Sequence, residues 1–264
     1  MYKIKNIIKF VLLVYIINIF FIASFFIFFK LFNFNFSNIK ELIRHSENSN
    51  IEKFNSQKNI FWANKIIDGG YILYFRHSER NKLPNLKAFD GLEILNKIKA
   101  EDSFFANRSC LNQNGKVEAK LIGEYFKKYD INYSKVISSP SCRARETAML
   151  AFNKIDEINN LFMYLSPFVQ SVEKEKNYNQ NIKIKKMKNY FATLKNPKEQ
   201  NIIIVGHKGI LLPSLIKNNL SKSDLQTLES GFVVLEVING DIFFKYKFNS
   251  FEEFTISLNK FMLD

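Results

Sequence analysis

Arginine and histidine are scarce in this chain, so their placement is informative. Lys and Arg together number 38 among 264 residues, yet only six of them are Arg, and His occurs three times. Arg76 and His77 close the apolar run Tyr71-Ile72-Leu73-Tyr74-Phe75, with Arg80 just beyond. Arg143 and Arg145 lie within Ser138-Ser139-Pro140-Ser141-Cys142-Arg143-Ala144-Arg145-Glu146-Thr147-Ala148, and His207 follows Ile202-Ile203-Ile204-Val205-Gly206. Lys would meet a generic need for positive charge. A planar guanidinium fork is what grips a phosphate through two bonds at once. A neutral imidazole beside such a fork can attack phosphorus, and a second imidazole can donate to a nonbridging oxygen. Taken alone, each histidine reads as structural; set beside arginines at the ends of apolar runs, the pair reads as a phosphoryl site.

These residues need elements that bring them together. Tyr71 to Phe75, Lys135 to Ile137 and Ile202 to Val205 read as strands, the last of them buried. Val117, Leu121, Ile122, Tyr125 and Phe126 recur at helical spacing. Ser139-Pro140 reads as the start of a helix to about Phe152, with Ser at the cap and Pro in the first turn. Ile184, Met187, Phe191 and Leu194 mark one face of a lysine-bearing helix whose charges read as a solvated face. Ile210 to Ile216 reads as a further helix. Phe232 to Val237 and Ile242 to Phe248 read as a hairpin about Asn239-Gly240-Asp241. Alternating strands and helices build a parallel sheet with crossover helices, and ligands of such sheets sit beyond the strands' carboxyl ends. Arg143, in the first turn of its helix, would add a guanidinium where the helix dipole already favours an anion.

The segments resemble the histidine phosphatase superfamily, also called phosphoglycerate mutase-like. That family's pattern is Arg-His-Gly at the first strand end, then Ser-Ser-Pro-x-x-Arg-Ala-x-x-Thr-Ala, then a distal Gly-His. Here they stand as Arg76-His77-Ser78, Ser138 to Ala148 with Arg143 in place, and Gly206-His207. Between them, Leu111 to Ala119 resembles the family's Leu-x-x-x-Gly-x-x-Gln-Ala. The likeness spans about residues 68 to 248. It implies that His77 is phosphorylated transiently, that Arg76, Arg143 and His207 surround the phosphoryl oxygens, and that water then releases phosphate without a metal or other cofactor. Two departures stand out. Ser78 replaces the usual Gly, which suits the loop only if no positive φ is required there. The proton donor for the leaving group is not evident: Glu79, Asp90 and Glu229 are candidates, Glu79 foremost, and each also reads as a surface or salt-bridge residue. Arg80 either extends the phosphate pocket or, like Arg145, pairs with Glu146 and other acids.

Other chemistries fit less well. Cys110 and Cys142 suit a disulfide about as well as two free thiols. A Cys-x5-Arg phosphate loop starting at Cys142 would need Arg where Ala148 stands, and zinc ligands at usable spacing are lacking. The formal charge of +13 comes from scattered lysines, so attraction to anionic substrates or lipid is expected rather than nucleic-acid binding.

Phe10 to Phe29 is apolar except for Asn18 and Ser24, long enough to span a bilayer, and lacks a small-residue cleavage pattern. Lys3, Lys5 and Lys9 before it favour a cytoplasmic N-terminus, although Lys30, Lys40 and Arg44 weaken the bias. The expected organisation is a membrane anchor (1–30), a polar spacer (31–59) in which Ile39 to His45 forms a short helix, and a catalytic domain (60–264). The domain is expected to be a three-layer αβα sandwich with a mostly parallel sheet, facing the periplasm or exterior. The expected activity is phosphomonoester hydrolysis on a small molecule, envelope component or phosphoprotein. A phosphate-binding scaffold without catalysis and a mutase-like phosphotransferase are the alternatives.

Overall fold

The computed structural model describes residues 57–81, 99–102, 106–163, 180–194, 198–209, 211–218 and 220–261. The expected membrane span, the expected helix of Ile39 to His45 and the candidate acid Asp90 lie outside the described residues. Among the described residues no helix is long and apolar enough to cross a membrane.

Among the described residues six strands form one sheet: β1 (Ile72–Arg76), β2 (Tyr133–Ser138), β3 (Glu157–Ile158), β4 (Asn201–Gly206), β5 (Phe232–Ile238) and β6 (Asp241–Phe248). Their order is β3-β2-β4-β1-β5-β6. The β2–β3, β2–β4 and β1–β4 pairs are parallel, whereas β5 is antiparallel to both β1 and β6. The sheet is therefore mixed, parallel where the candidate residues sit. The apolar runs predicted as strands are wholly buried in β4 and buried along β1 up to Arg76, as expected of central strands covered on both faces. β1 and β4 are in parallel register with Arg76 opposite Gly206, which brings the two segments bearing His77 and His207 out at the same edge.

Helices α1 (Gln57–Asp68), α2 (Gln113–Lys128), α3 (Cys142–Phe152) and α6 (Phe251–Phe261) cover one face. Their core side chains, Ile66, Ile122, Phe126, Ala148, Phe152 and Phe254 among them, pack on Leu73, Phe75, Val136, Ile203 and Val205. The other face holds α4 (Gln180–Thr193) and the short α5 (Lys222–Leu225), with Met187, Phe191 and Leu225 against Ile72, Tyr74, Ile202 and Ile204. Alternating residues of β1 and β4 thus feed two cores, giving three layers. Asn201, fully buried at the start of β4, is satisfied throughout: its amide donates to Ile66 O and its carbonyl accepts from Tyr71 N.

Several expectations are met and others corrected. The hairpin turns on Asn239 and Gly240, at φ 52° and 81°, the pair of left-handed residues that a two-residue turn needs; Asp241 already belongs to β6. The lysine-bearing helix is α4, with Met187 and Phe191 inward. The helix expected from Ser139-Pro140 begins at Cys142 instead, because Ser139 N still bonds Val205 O as an extension of the sheet; Ser141 occupies the cap position. In the segment of Ile210 to Ile216, of which Ile210 lies outside the described residues, a 3₁₀ turn, Leu212–Ser214, replaces the expected helix. Gly209 at φ 61° and Pro213, which lacks an N–H, confine it, and Ile216 pairs with Ile242. The helices α1 and α6 and the two-residue β3 were not anticipated.

Candidate active site

His77 continues the ladder beyond β1, its N–H donating to Gly206 O at 3.0 Å. Its ring is buried, with Nδ1 2.8 Å from the Ser78 carbonyl oxygen. A carbonyl only accepts, so Nδ1 carries the proton and Nε2 keeps a lone pair. Burial first, and the Arg143 guanidinium next, hold the His77 pKa well below 6.5; Arg76 and Arg80 act in the same sense, and the Ser78 carbonyl opposes them. The imidazole is therefore neutral at neutral pH, as a nucleophile must be. Ser78 is buried and has no positive φ, so the departure from Gly costs no backbone strain. Its N–H donates to Thr147 Oγ1 at 3.0 Å, and its hydroxyl bonds that of Ser230 at 2.8 Å.

His207 stands beyond β4 at the same edge. The two imidazole centroids are 5.4 Å apart, with the rings at 72°. Arg143 Nη2 lies 3.2 Å from His207 Nδ1, and because a guanidinium only donates, Nδ1 is the acceptor and Nε2 bears the hydrogen. That nitrogen faces Ser139 Oγ at 3.1 Å and Ser141 Oγ at 3.4 Å. Burial, then Arg143, then His77, push the His207 pKa well below 6.5, with Lys183 and Arg80 adding to the effect. Tyr74, beneath them, has its phenol pushed up to about 12 by burial and accepts from His207 N at 3.4 Å. Gly206 is required there, since a Cβ would come within 2.5 Å of the Tyr74 hydroxyl.

Arg143 sits buried in the first turn of α3. Arg76, its side chain 13% exposed, donates from Nη1 to Thr227 O at 2.9 Å and from Nη2 to Glu229 at 3.0 Å. Burial lowers the Arg76 pKa, Glu229 opposes that shift, and Arg143 reinforces it. Arg76, His77, Arg143 and His207 thus form one cluster. Arg80 lies within electrostatic reach of both imidazoles while its Nη1 donates to Asn81 O. The candidate acids are differently engaged: Glu79 accepts from the Asn112 amide at 2.6 Å, and Glu229 is the partner of Arg76. Arg145 pairs with Glu101 rather than with the adjacent Glu146, which instead accepts from Leu111 N at 2.6 Å.

Sequence reasoning did not single out Ser139 and Ser141 beside His207, Thr147 and Ser230 on the Ser78 loop, or Lys183 near His207. Glu118 was also passed over; it accepts from Glu79 N and the Ser230 hydroxyl, tying the loop to α2. The advance signals were that Ser139, Ser141 and Thr147 fall inside the Arg143 segment and Glu118 inside the segment of Leu111 to Ala119; Ser230 and Lys183 had none.

Cys110 and Cys142 are joined as a disulfide. With Glu101 they form the group of potential metal ligands found among the described residues, but the sulfurs are bonded to each other and the carboxylate to Arg145, so the set does not suit a cation.

Two neutral imidazoles and two guanidiniums in one cluster can surround a phosphoryl group with donors while the His77 Nε2 lone pair is offered to phosphorus. No protein-family model matches the sequence, and no curated protein matches it. Solved structures similar to the chain include the protein histidine phosphatase SixA complexed with tungstate, at 12% identity and TM-score 0.43 over 67% of this chain and 95% of that one. Another is the alpha-ribazole phosphatase from Shigella flexneri, at 16% identity and TM-score 0.42 over 68% and 97%. A third is phosphoserine phosphatase from Entamoeba histolytica in complex with 3-phosphoglyceric acid, at 17% identity and TM-score 0.39 over 67% and 95%.

Proposed function

We propose that this chain is a histidine phosphatase that hydrolyses a phosphomonoester through a phosphohistidine on His77. The observation that supports it most is the pair of buried imidazoles with centroids 5.4 Å apart, Arg143 bonded to one and acting electrostatically on both. In the first step His77 Nε2 forms a bond to phosphorus, the ester P–O bond breaks, and the leaving oxygen takes a proton from water. In the second, water attacks phosphorus, the N–P bond breaks, the proton shed by that water passes to solvent, and inorganic phosphate leaves. Arg76 and Arg143 balance the charge on the equatorial oxygens, and His207 Nε2–H exchanges the serine hydroxyls it faces for one of those oxygens. We also propose, from the sequence, that Phe10 to Phe29 anchors the chain in a membrane with the domain outside the cytoplasm. A reporter fused after residue 60 is expected to be active only in an extracytoplasmic compartment; cytoplasmic activity overturns the topology.

An aryl phosphate tests the reaction, because its good leaving group scarcely needs an acid. Turnover by the full chain, its loss in His77→Ala and acid-labile phosphate on His77 are expected. Equal activity of His77→Ala removes the assignment. A second reading, a phosphate-binding protein without catalysis, draws on the engagement of Glu79 with Asn112 and Glu229 with Arg76. Phosphate binding without turnover of any phosphomonoester is its signature.

A further inference from the structure

The start of α3 has to be held still, because Arg143 is its second residue and the grip on a phosphoryl group depends on where that guanidinium sits. Helices are usually anchored at this point by the cap side chain, which accepts from a backbone N–H of the first turn. Here Ser141 fills the cap position and makes no such bond; its hydroxyl lies 3.4 Å from His207 Nε2. The side chain that would secure the helix faces the site instead. What does secure it is covalent. Cys142, the first residue of α3 and fully buried, is bonded to Cys110, whose neighbour Leu111 pairs with Arg80 and donates its N–H to Glu146 of the same helix. Arg145, on the other side of Arg143, holds Glu101 of the segment that packs on the bridge. Asn112 carries the connection to the loop after His77, donating from its backbone to Glu79 O.

We infer that the Cys110–Cys142 disulfide is a positioning device for Arg143, so that the phosphate grip of this site depends on the thiol redox state. The inference rests on the reading of the cluster as a phosphate site. Reduction by a dithiol delivers two electrons and two protons to the bridge, giving two cysteine thiols while the reductant closes to its own disulfide. The first turn of α3 then loses its covalent tie and, with Ser141 directed to His207, has no side-chain cap to replace it. Arg143 is then positioned by noncovalent contacts, among them that of its guanidinium with His207 Nδ1 and that of its carbonyl with Thr147 Oγ1. A thiol-oxidising compartment restores the bridge and the grip.

The test uses the full chain, oxidised and then reduced anaerobically with dithiothreitol, with thiols counted. Inorganic phosphate affinity is measured by calorimetry, KM and kcat with an aryl phosphate, and folding by circular dichroism. In the reduced protein phosphate affinity is expected to fall about tenfold and KM to rise in parallel, with a smaller change in kcat, unchanged dichroism and recovery on reoxidation. Cys110→Ala is expected to show the weakened values without reductant and no further response to it. Equal phosphate affinity in the oxidised protein and in the reduced protein with two thiols counted overturns the inference. So does loss of dichroism in both the reduced protein and Cys110→Ala, which would make the bridge a staple of the whole fold. Oxidised protein that binds phosphate without turnover leaves this test readable and removes only the catalytic reading. Oxidised protein that binds no phosphate removes both.

Discussion

His77 and His207 are kept well below the ordinary histidine pKa by burial first and by Arg143 next. An enzyme relying on an exposed histidine loses its nucleophile as the pH drops through about 6.5. Here kcat/KM on an aryl phosphate, corrected for substrate ionisation, is expected to hold through that value and fall only at lower pH; a midpoint at 6.5 would contradict the buried neutral imidazole. Stability follows the same shift. Unfolded histidines protonate near pH 6.5, whereas the folded ones resist, so the unfolded state binds more protons in the window between 6.5 and the folded pKa. Stability is unaffected above that window and decreases as pH falls through it, by at most about 1.4 kcal/mol per pH unit for each histidine. Urea unfolding of the parent and of His207→Gln at pH 7.5 and 5.5 should show the smaller loss in the variant. Arg143→Lys retains charge without the fork and is expected to raise KM roughly tenfold or more. His77, Arg76, Arg143 and His207 were legible because their types are rare against a background of lysine. Ser139, Ser141, Thr147 and Lys183 belong to commonplace types, and their roles arise from contacts with residues far away in sequence.

Elements were legible where a single period dominated. β1 and β4 are short apolar runs, α2 and α4 show recurring apolar residues, and the Asn-Gly turn announces itself. Boundaries were harder where the chain serves a site. Ser139-Pro140 has the composition of a helix start, but the sheet ladder runs on to Ser139 and the serine hydroxyl turns to His207, so the helix is delayed to Cys142. Local preference yielded to a long-range bond. One glycine of the likeness has a direct structural reason: a Cβ on Gly115, in the first turn of α2, would lie 2.0 Å from the Glu79 carbonyl oxygen. Gly115→Ala must therefore push α2 away from the loop that follows His77. A destabilisation of about 1–3 kcal/mol by chemical denaturation is expected, together with reduced turnover, since the displaced Glu79 directly follows Ser78, whose carbonyl holds His77 Nδ1.

At the scale of the whole molecule the chain carries a formal charge of +13, and Arg76, Arg80, Arg143 and Lys183 concentrate positive potential around the imidazoles. An anionic substrate should be drawn in, so kcat/KM is expected to decline as ionic strength rises from about 0.01 to 0.15 M, where the screening length shortens from roughly 30 to 8 Å. A salt-independent value would show that encounter owes nothing to this field.

The parallel register of β1 with β4 has a consequence for how such a protein can change over generations. Because Arg76 stands opposite Gly206, the gap between the two imidazole rings is measured out by neighbouring strands rather than by the long stretch of polypeptide separating them. Slippage by one residue would turn one ring to the opposite side of the sheet, so the ladder itself resists drift. Loops can lengthen, shorten or be exchanged between the two strands without disturbing that gauge. Under the proposed reaction, preference for one leaving group over another is therefore free to diversify while the chemistry at phosphorus stays constant.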